Sequence, residues 1–231
     1  MNVNGFIKTS LLDFPGIVAT TIFTGGCNFN CPFCHNGELV KEHQSMPKIL
    51  TDDIINHIKK RKGLIDGICI SGGEPTLQKD LIDFMKKIKD YDIKIKLDTN
   101  GYNPKILQKI INLGLVDYVA MDIKNSPNKY FDTCGLKFLD YSLIDESINT
   151  LMLNNLDYEF RTTVIKEFHT KEDILLIADR LKGSKKYCLQ QYMYNNKQIC
   201  NQEYTRYDNS TLKEWGNIIK PLFDKVEVRG V

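Results

Sequence analysis

The sequence predicts an α/β fold, a partial (β/α)6 TIM-like barrel made by one domain spanning residues 1–231. Short apolar, β-branched segments alternate with amphipathic helical ones, the pattern of repeated βα units around a parallel sheet. Six such units fit into 231 residues with no proline- or glycine-rich linker, fewer than the closed eight-unit form needs. The polar motifs fall at the carboxyl ends of the strand candidates, where α/β sheets hold ligands.

The strand candidates are IVATTIFT (17–24), DGICIS (66–71), IKIKLDT (93–99), DYVAMDI (117–123), YEFRTTVI (158–165) and KYCLQQY (186–192). Helices are expected near 51–61, 77–90, 103–113, 142–154 and 171–182. In the second of these Leu77, Leu81, Phe84, Met85 and Ile88 recur at the spacing of a core-facing stripe. Thr170 with Asp173 reads as an N-cap and an acidic first turn for the fifth helix. A helix over 210–220 and a strand over 225–229 close the chain. The polar stretch Met193–Asn209 reads as a mobile loop.

A net charge of +2 gives no electrostatic case for nucleic acid or an anionic membrane surface as partner. The run Lys59-Lys60-Arg61-Lys62 reads as a solvated helix end. No stretch reaches the ~18 apolar residues of a membrane span. The amino-terminal segment has no export-signal pattern, so a cytoplasmic location is expected. Seven cysteines there point to reduced thiols or metal ligands rather than disulfides.

Three of the seven cluster as Cys27-Asn28-Phe29-Asn30-Cys31-Pro32-Phe33-Cys34, after the first strand and the pair Gly25-Gly26. Thiolates ligate iron–sulfur clusters, and a compact loop can offer three to one cubane, leaving one iron open to a small chelating molecule. Two other readings stand beside it. A structural zinc site needs four ligands, usually in two separated pairs, and His35 is oddly placed as the fourth. The thiols could also be inert.

At this spacing, with Phe33 before the last cysteine, the sequence resembles the radical S-adenosylmethionine superfamily. The resemblance implies that Cys27, Cys31 and Cys34 hold one [4Fe-4S] cluster whose open iron is chelated by the methionyl group of S-adenosylmethionine. Reductive cleavage would then give methionine and a 5′-deoxyadenosyl radical. By the same resemblance Gly72, Gly73 and Glu74, in Ser71-Gly72-Gly73-Glu74-Pro75, contact the methionyl amine. On residues alone that segment is a turn, or a site where a carboxylate pairs with an amine.

Cys34-His35-Asn36 and Asp122-Ile123-Lys124 narrow the resemblance to the glycyl-radical-enzyme activases, the group of anaerobic ribonucleoside-triphosphate reductase activating protein and pyruvate formate-lyase-activating enzyme. It implies cofactor contacts for Asn36, Asp98, Asp122, Lys124 and Arg161, in some members with a monovalent cation between the aspartates. Asp13, in Asp13-Phe14-Pro15-Gly16, would border the opening where a partner's glycyl loop enters. Met193 stands where pyruvate formate-lyase-activating enzyme has a histidine near adenine, so that contact is not carried over. Without the resemblance, the aspartates read as turn residues and a surface ion pair. Arg161, if turned inward, needs an anion.

The implied function is generation of a glycyl radical on a partner enzyme. Anaerobic ribonucleotide reductase is favoured over a formate-lyase-type enzyme, with flavodoxin or ferredoxin as electron donor. A small-molecule radical enzyme such as 7-carboxy-7-deazaguanine synthase and a zinc-stapled binding module are the alternatives. Cys69 and Cys188 read as small buried hydrophobes. Cys134 and Cys200 fall in loops at no cluster spacing, and His43, His57 and His169 read as surface or flanking residues.

Overall fold

The β-branched runs fold as strands of a single sheet. The computed structural model describes residues 1–231. The strands are β1 (Val3–Ser10), β2 (Ala19–Thr24), β3 (Gly67–Gly72), β4 (Lys94–Thr99), β5 (Tyr118–Asp122), β6 (Asp157–Val164), β7 (Lys186–Gln191) and β8 (Lys225–Arg229). They lie side by side in chain order. β1 runs antiparallel to β2, and every later pair is parallel. β1 and β8 are left as free edges, so the barrel is partial, as the sequence predicts.

The helices expected from periodicity form as α2 (Thr51–Lys60), α3 (Leu81–Lys89), α4 (Pro104–Asn112), α6 (Tyr141–Met152), α7 (Lys171–Arg180) and α8 (Asn209–Ile219). Thr170 closes a capping box with Asp173 at the start of α7. α3 starts later than its apolar stripe suggests. Pro75 opens a separate 3-10 turn through Leu77, which leaves Leu77 43% exposed while Leu81, Phe84, Met85 and Ile88 are buried. Among the strands and α-helices, three lie outside the predicted set: β1 and the short helices α1 (Gly37–Lys41) and α5 (Tyr130–Thr133). β1 carries no strong apolar alternation, because as an edge strand it buries only Val3. Its Gly5 accommodates the Phe23 ring, which would meet an added Cβ at 3.0 Å.

The sheet's two faces divide by alternation. One face carries Ile68, Ile70, Ile95, Leu97, Val119, Met121, Phe160 and Leu189, all fully buried in the 44-residue core cluster that the helices cover. Each such side chain contributes about 1.5–3 kcal/mol relative to exposure. The other face, inside the barrel, is polar: Lys96 and Asp98 on β4, Asp122 on β5, Glu159 and Arg161 on β6, Lys186 on β7, Glu227 and Arg229 on β8. Buried charges are tolerated only when paired, and these are. The Arg229 guanidinium grips Glu159 with both Nη groups, at 3.0 and 2.7 Å, while Lys186 reaches both Glu159 and Glu227 at 3.1 Å.

The loop between β1 and β2 closes the amino-terminal end of the barrel. Buried Phe14 packs on Tyr118 and beside Gly67. The stretch after β7 has no regular structure through residue 208, yet it is pinned rather than loose. Cys200 N donates to the Pro32 carbonyl at 2.8 Å, Lys166 N to the Thr205 carbonyl at 3.0 Å, and Gln198 is buried against Tyr192. No helix is long and apolar enough to cross a membrane.

Burial acts to raise the Glu159 pKa, but Arg229, with Arg161 and Lys186, outweighs it and brings the carboxyl from 4.5 down to about 2. A depressed carboxyl pKa stabilises the fold fully above its unfolded value, and the gain is lost as pH falls toward 2. Glu159→Gln is expected to lower stability at neutral pH by about 1–3 kcal/mol, because it neutralises one of the two carboxylates, the other being Glu227, that Arg229 and Lys186 share. It should also flatten the stability profile between roughly pH 4.5 and 2. Urea unfolding across that range measures both effects.

Candidate active site

The site is built where the loops after β2 and β3 interlock. Gly73 N donates to the Thr24 carbonyl and Glu74 N to the Gly26 carbonyl, both at 2.8 Å. The contact is so close that a Cβ on Gly72 would fall 2.3 Å from Thr24 N, and one on Gly73 2.1 Å from Gly26 O. Gly72 also sits at φ +118°, where side chains are strained. The Gly-Gly pair therefore serves backbone approach. Asn36 adds a third tie, its Nδ2 donating to the Gly72 carbonyl at 2.9 Å.

One cavity results, with Cys27, Cys31, Cys34, Phe33 and Asn36 on one wall and Gly72 and Gly73 beside them. Asp98, Asp122, Lys124 and Arg161, from the ends of β4, β5 and β6, form the wall opposite. Of the residues singled out from sequence, these eleven come together and two do not.

Glu74 is the first exception. It is fully buried, and both carboxylate oxygens are used within the protein: Oε1 accepts from Thr76 N, Thr76 Oγ1 and Thr99 Oγ1, and Oε2 from Asn100 N at 2.7 Å. Burial raises its pKa despite those four donors. The amine contact expected of Glu74 is thus replaced by an anchoring role beneath the cavity. Asp13 is the second exception. It accepts a 2.6 Å bond from Thr21 Oγ1 in the loop that closes the opposite end of the barrel, so it does not border the cavity.

Cys31 is buried, and Cys27 and Cys34 are half-buried at the cavity wall. Burial, then the Glu74 carboxylate, pushes the Cys27 thiol up to about 12, and burial also raises Cys34. Cys31 is lowered, chiefly by a hydrogen bond from the Cys134 thiol, with Lys124 assisting. Thiols that resist ionisation alone become good ligands once a metal core supplies the positive charge. No fourth cysteine lines the cavity. His35, the candidate fourth ligand of a zinc site, turns its Nε2 to the Met193 carbonyl at 2.6 Å. The donor set fits a cluster with one open iron better than a closed four-ligand site.

Arg161 holds the opposite wall. Its Nε bonds Asp122 Oδ1 at 2.8 Å and its Nη1 lies 3.5 Å from Asp98 Oδ2. Asp122 Oδ2 takes Lys124 at 2.9 Å, and Asp98 takes Lys96 and, at 3.1 Å, Ser71 Oγ. The anion that Arg161 requires is supplied by the protein itself. All four aspartate oxygens have a partner within the protein, and the guanidinium lies between the two carboxylates. Burial works against ionisation of Asp122, but Arg161 and Lys124 outweigh it and hold the carboxyl far below its ordinary range.

Other residues acquire partners that their sequence positions conceal. His169 is fully buried, its Nε2 bonded to the Lys124 carbonyl at 2.8 Å, so it is no surface residue. Cys134 lies against Cys31, and its carbonyl accepts from Asn30 N at 2.9 Å. Cys69 and Cys188 are buried but face the charged interior, at 3.7 Å from Lys96 Nζ and 3.5 Å from Glu159. Glu159, Cys188 and Glu227 converge as a metal site would, yet Arg229 and Lys186 already neutralise the carboxylates. Lys96 could have been found from sequence: it shares a strand face with Asp98.

The sequence model of the Radical SAM superfamily matches residues 21–186. A protein of Methanocaldococcus jannaschii whose provisional name is glycyl-radical enzyme activating enzyme is 33% identical over 236 residues, covering 99% of this chain and 96% of that one. The pyruvate formate-lyase-activating enzyme of Clostridium pasteurianum is 32% identical over 128 residues, 53% of this chain and 52% of that protein. Among solved structures, Streptococcus suis SuiB bound to its precursor peptide SuiA superimposes with a TM-score of 0.67 at 14% identity. That match spans 91% of this chain and 48% of SuiB.

Glu74→Gln places an amide NH2 against a backbone or hydroxyl donor, leaving buried donors unpaired at a cost of about 1–3 kcal/mol. The ligand-free variant is expected to show that loss in urea unfolding. A residue serving only as a ligand contact would leave the stability of the ligand-free protein unchanged.

Proposed function

Because this chain belongs to the Radical SAM superfamily, we propose that it activates a glycyl radical enzyme, with anaerobic ribonucleoside-triphosphate reductase as the partner. The observation that carries the reading is three thiols from one short loop on the wall of a cavity that has no fourth cysteine. The full-length similarity to a protein named as a glycyl-radical enzyme activating enzyme supports the activase class. The choice of ribonucleotide reductase rests on Gln190-Gln191, which resembles the activating protein of that enzyme. Flavodoxin or ferredoxin is the proposed electron donor.

Cys27, Cys31 and Cys34 would hold one [4Fe-4S] cluster. When bound, it supplies the electron that splits S-adenosylmethionine into methionine and a 5′-deoxyadenosyl radical, which takes hydrogen from a backbone glycine of the partner. The chain's own residues bind and orient. The Gly72-Gly73 backbone, locked against the cysteine loop, is assigned to the methionyl group together with Asn36. The Lys124 ammonium has three N–H donors and spends one on Asp122, so it can donate to the methionyl carboxylate. Arg161, Asp98 and Asp122 fix the ribose-side wall in one geometry. Such fixed orientation is worth several kcal/mol in favourable cases.

Anaerobically reconstituted protein is expected to carry about four iron and four sulfide per chain. Cys31→Ala should lose both the iron and the cleavage of S-adenosylmethionine. Mixing the reduced protein and S-adenosylmethionine with anaerobic ribonucleotide reductase should give the electron paramagnetic resonance doublet of a glycyl radical. Cleavage that survives in Cys31→Ala would refute the cluster assignment, and a radical formed only on a formate-lyase-type enzyme would reassign the partner.

A further inference from the structure

Asn100, just after β4, lies outside every role assigned so far, yet its side chain reaches the cysteine loop. Its Nδ2 donates to Asn28 Oδ1 at 2.8 Å and points at Cys27 Sγ at 3.8 Å. The amide orientation is settled by chemistry. Asn100 Oδ1 accepts from Tyr102 N at 3.0 Å, and a backbone N–H can only donate, so the NH2 end must face Cys27. The turn that carries Asn100 is itself fixed, because Asn100 N donates to the buried Glu74 carboxylate at 2.7 Å, and Thr99 Oγ1 donates to it at 2.8 Å. Asn100 is 6% exposed, so no water competes effectively for the contact.

On the proposed cluster reading, we infer that Asn100 is a positioning residue for the Cys27 corner: its amide N–H donates to the Cys27 sulfur and raises the reduction potential of the cluster. The Phe29 backbone N–H donates to the same sulfur at 3.3 Å, so Cys27 carries two donors from different segments. Hydrogen bonds to cluster sulfurs withdraw negative charge and favour the more negative, reduced state, one of the levers that set such potentials. Glu74 contributes indirectly. It holds the turn from which Asn100 reaches, and this gives the buried carboxylate a use that does not require contact with any ligand.

Two variants separate position from charge. Asn100→Ala removes the donor, and Asn100→Asp keeps the acceptor for Tyr102 N while replacing the donor with a negative oxygen. Both are expected to retain about four iron per chain and to shift the midpoint of a reductive titration, followed by electron paramagnetic resonance, to more negative values. The shift should be larger for the aspartate. An unchanged midpoint in Asn100→Ala with its iron retained overturns the inference.

If neither variant folds, the native sequence still decides. Reduced protein labelled with 15N only in asparagine side-chain amides should show a nitrogen coupled to the cluster spin, and the coupling should persist in Asn28→Ala and in Asn36→Ala. Absence of that coupling in the unsubstituted protein overturns the inference even when four iron are bound. Absence of the iron instead refutes the cluster reading, so the two failures are told apart.

Discussion

The Arg161 guanidinium between Asp98 and Asp122 is the contact on which the interior of this barrel depends. A charged interior is costly unless every ion has a partner, and removing one partner of a buried pair typically costs about 3–5 kcal/mol. Arg161 joins β6 to both β4 and β5 across the cavity floor, and each aspartate also draws in a lysine, Lys96 from β4 and Lys124 from beyond β5. Without the guanidinium the two carboxylates would repel across the same space and the lysines would be held by half-solvated anions. A second knot of the same kind, Glu159 with Arg229 and Lys186, ties β6 to β7 and β8 further along the strands. The open edges of the sheet therefore do not leave its interior loose. Strands that share no covering core on that side are cross-linked by charge.

The cysteine loop depends on a different device, close backbone approach. Gly72 and Gly73 let the loop after β3 lie directly on the one after β2, and Asn36 and the Asn30–Cys134 bond hold it from two further sides. The strap after β7 adds a fourth hold through Pro32. Three separate chain segments, the loop after β3, the end of α5 and the strap after β7, thus converge on the loop that carries the three thiols. That convergence gives a short, hydrogen-bond-poor loop a defined shape before any ligand arrives, and preorganisation of this sort is what a binding site must supply.

Much of this was legible in the sequence because the strands and helices obey simple periodicities. The parallel strands β2–β8 and the long helices follow from β-branched runs and apolar stripes, and the thiols and most of the opposite wall sit at strand ends where α/β sheets place ligands. What was hidden is three-dimensional in origin. Glu74 looks like a ligand residue on paper because a carboxylate follows two glycines; only the fold shows four donors converging on it from residues 76, 99 and 100. His169 and Cys134 gained partners from segments distant in sequence, which no spacing encodes. β1 was missed because an edge strand buries one side of a few residues and so lacks a strong alternation.

The alternation along each strand separates two requirements that usually conflict. Stability comes from the helix-facing positions, such as Ile70, Leu97, Met121 and Phe160, which are apolar and fully buried. The strand residues that line the cavity, Ser71, Asp98, Asp122 and Arg161, take the intervening positions, one residue away on the same backbone. A charged network in the core of a helical bundle would compete with its own packing. Here each strand gives one face to each task, and the rigid apolar layer fixes the position of the polar one. The tolerance of this fold for a charged interior follows from that period of two.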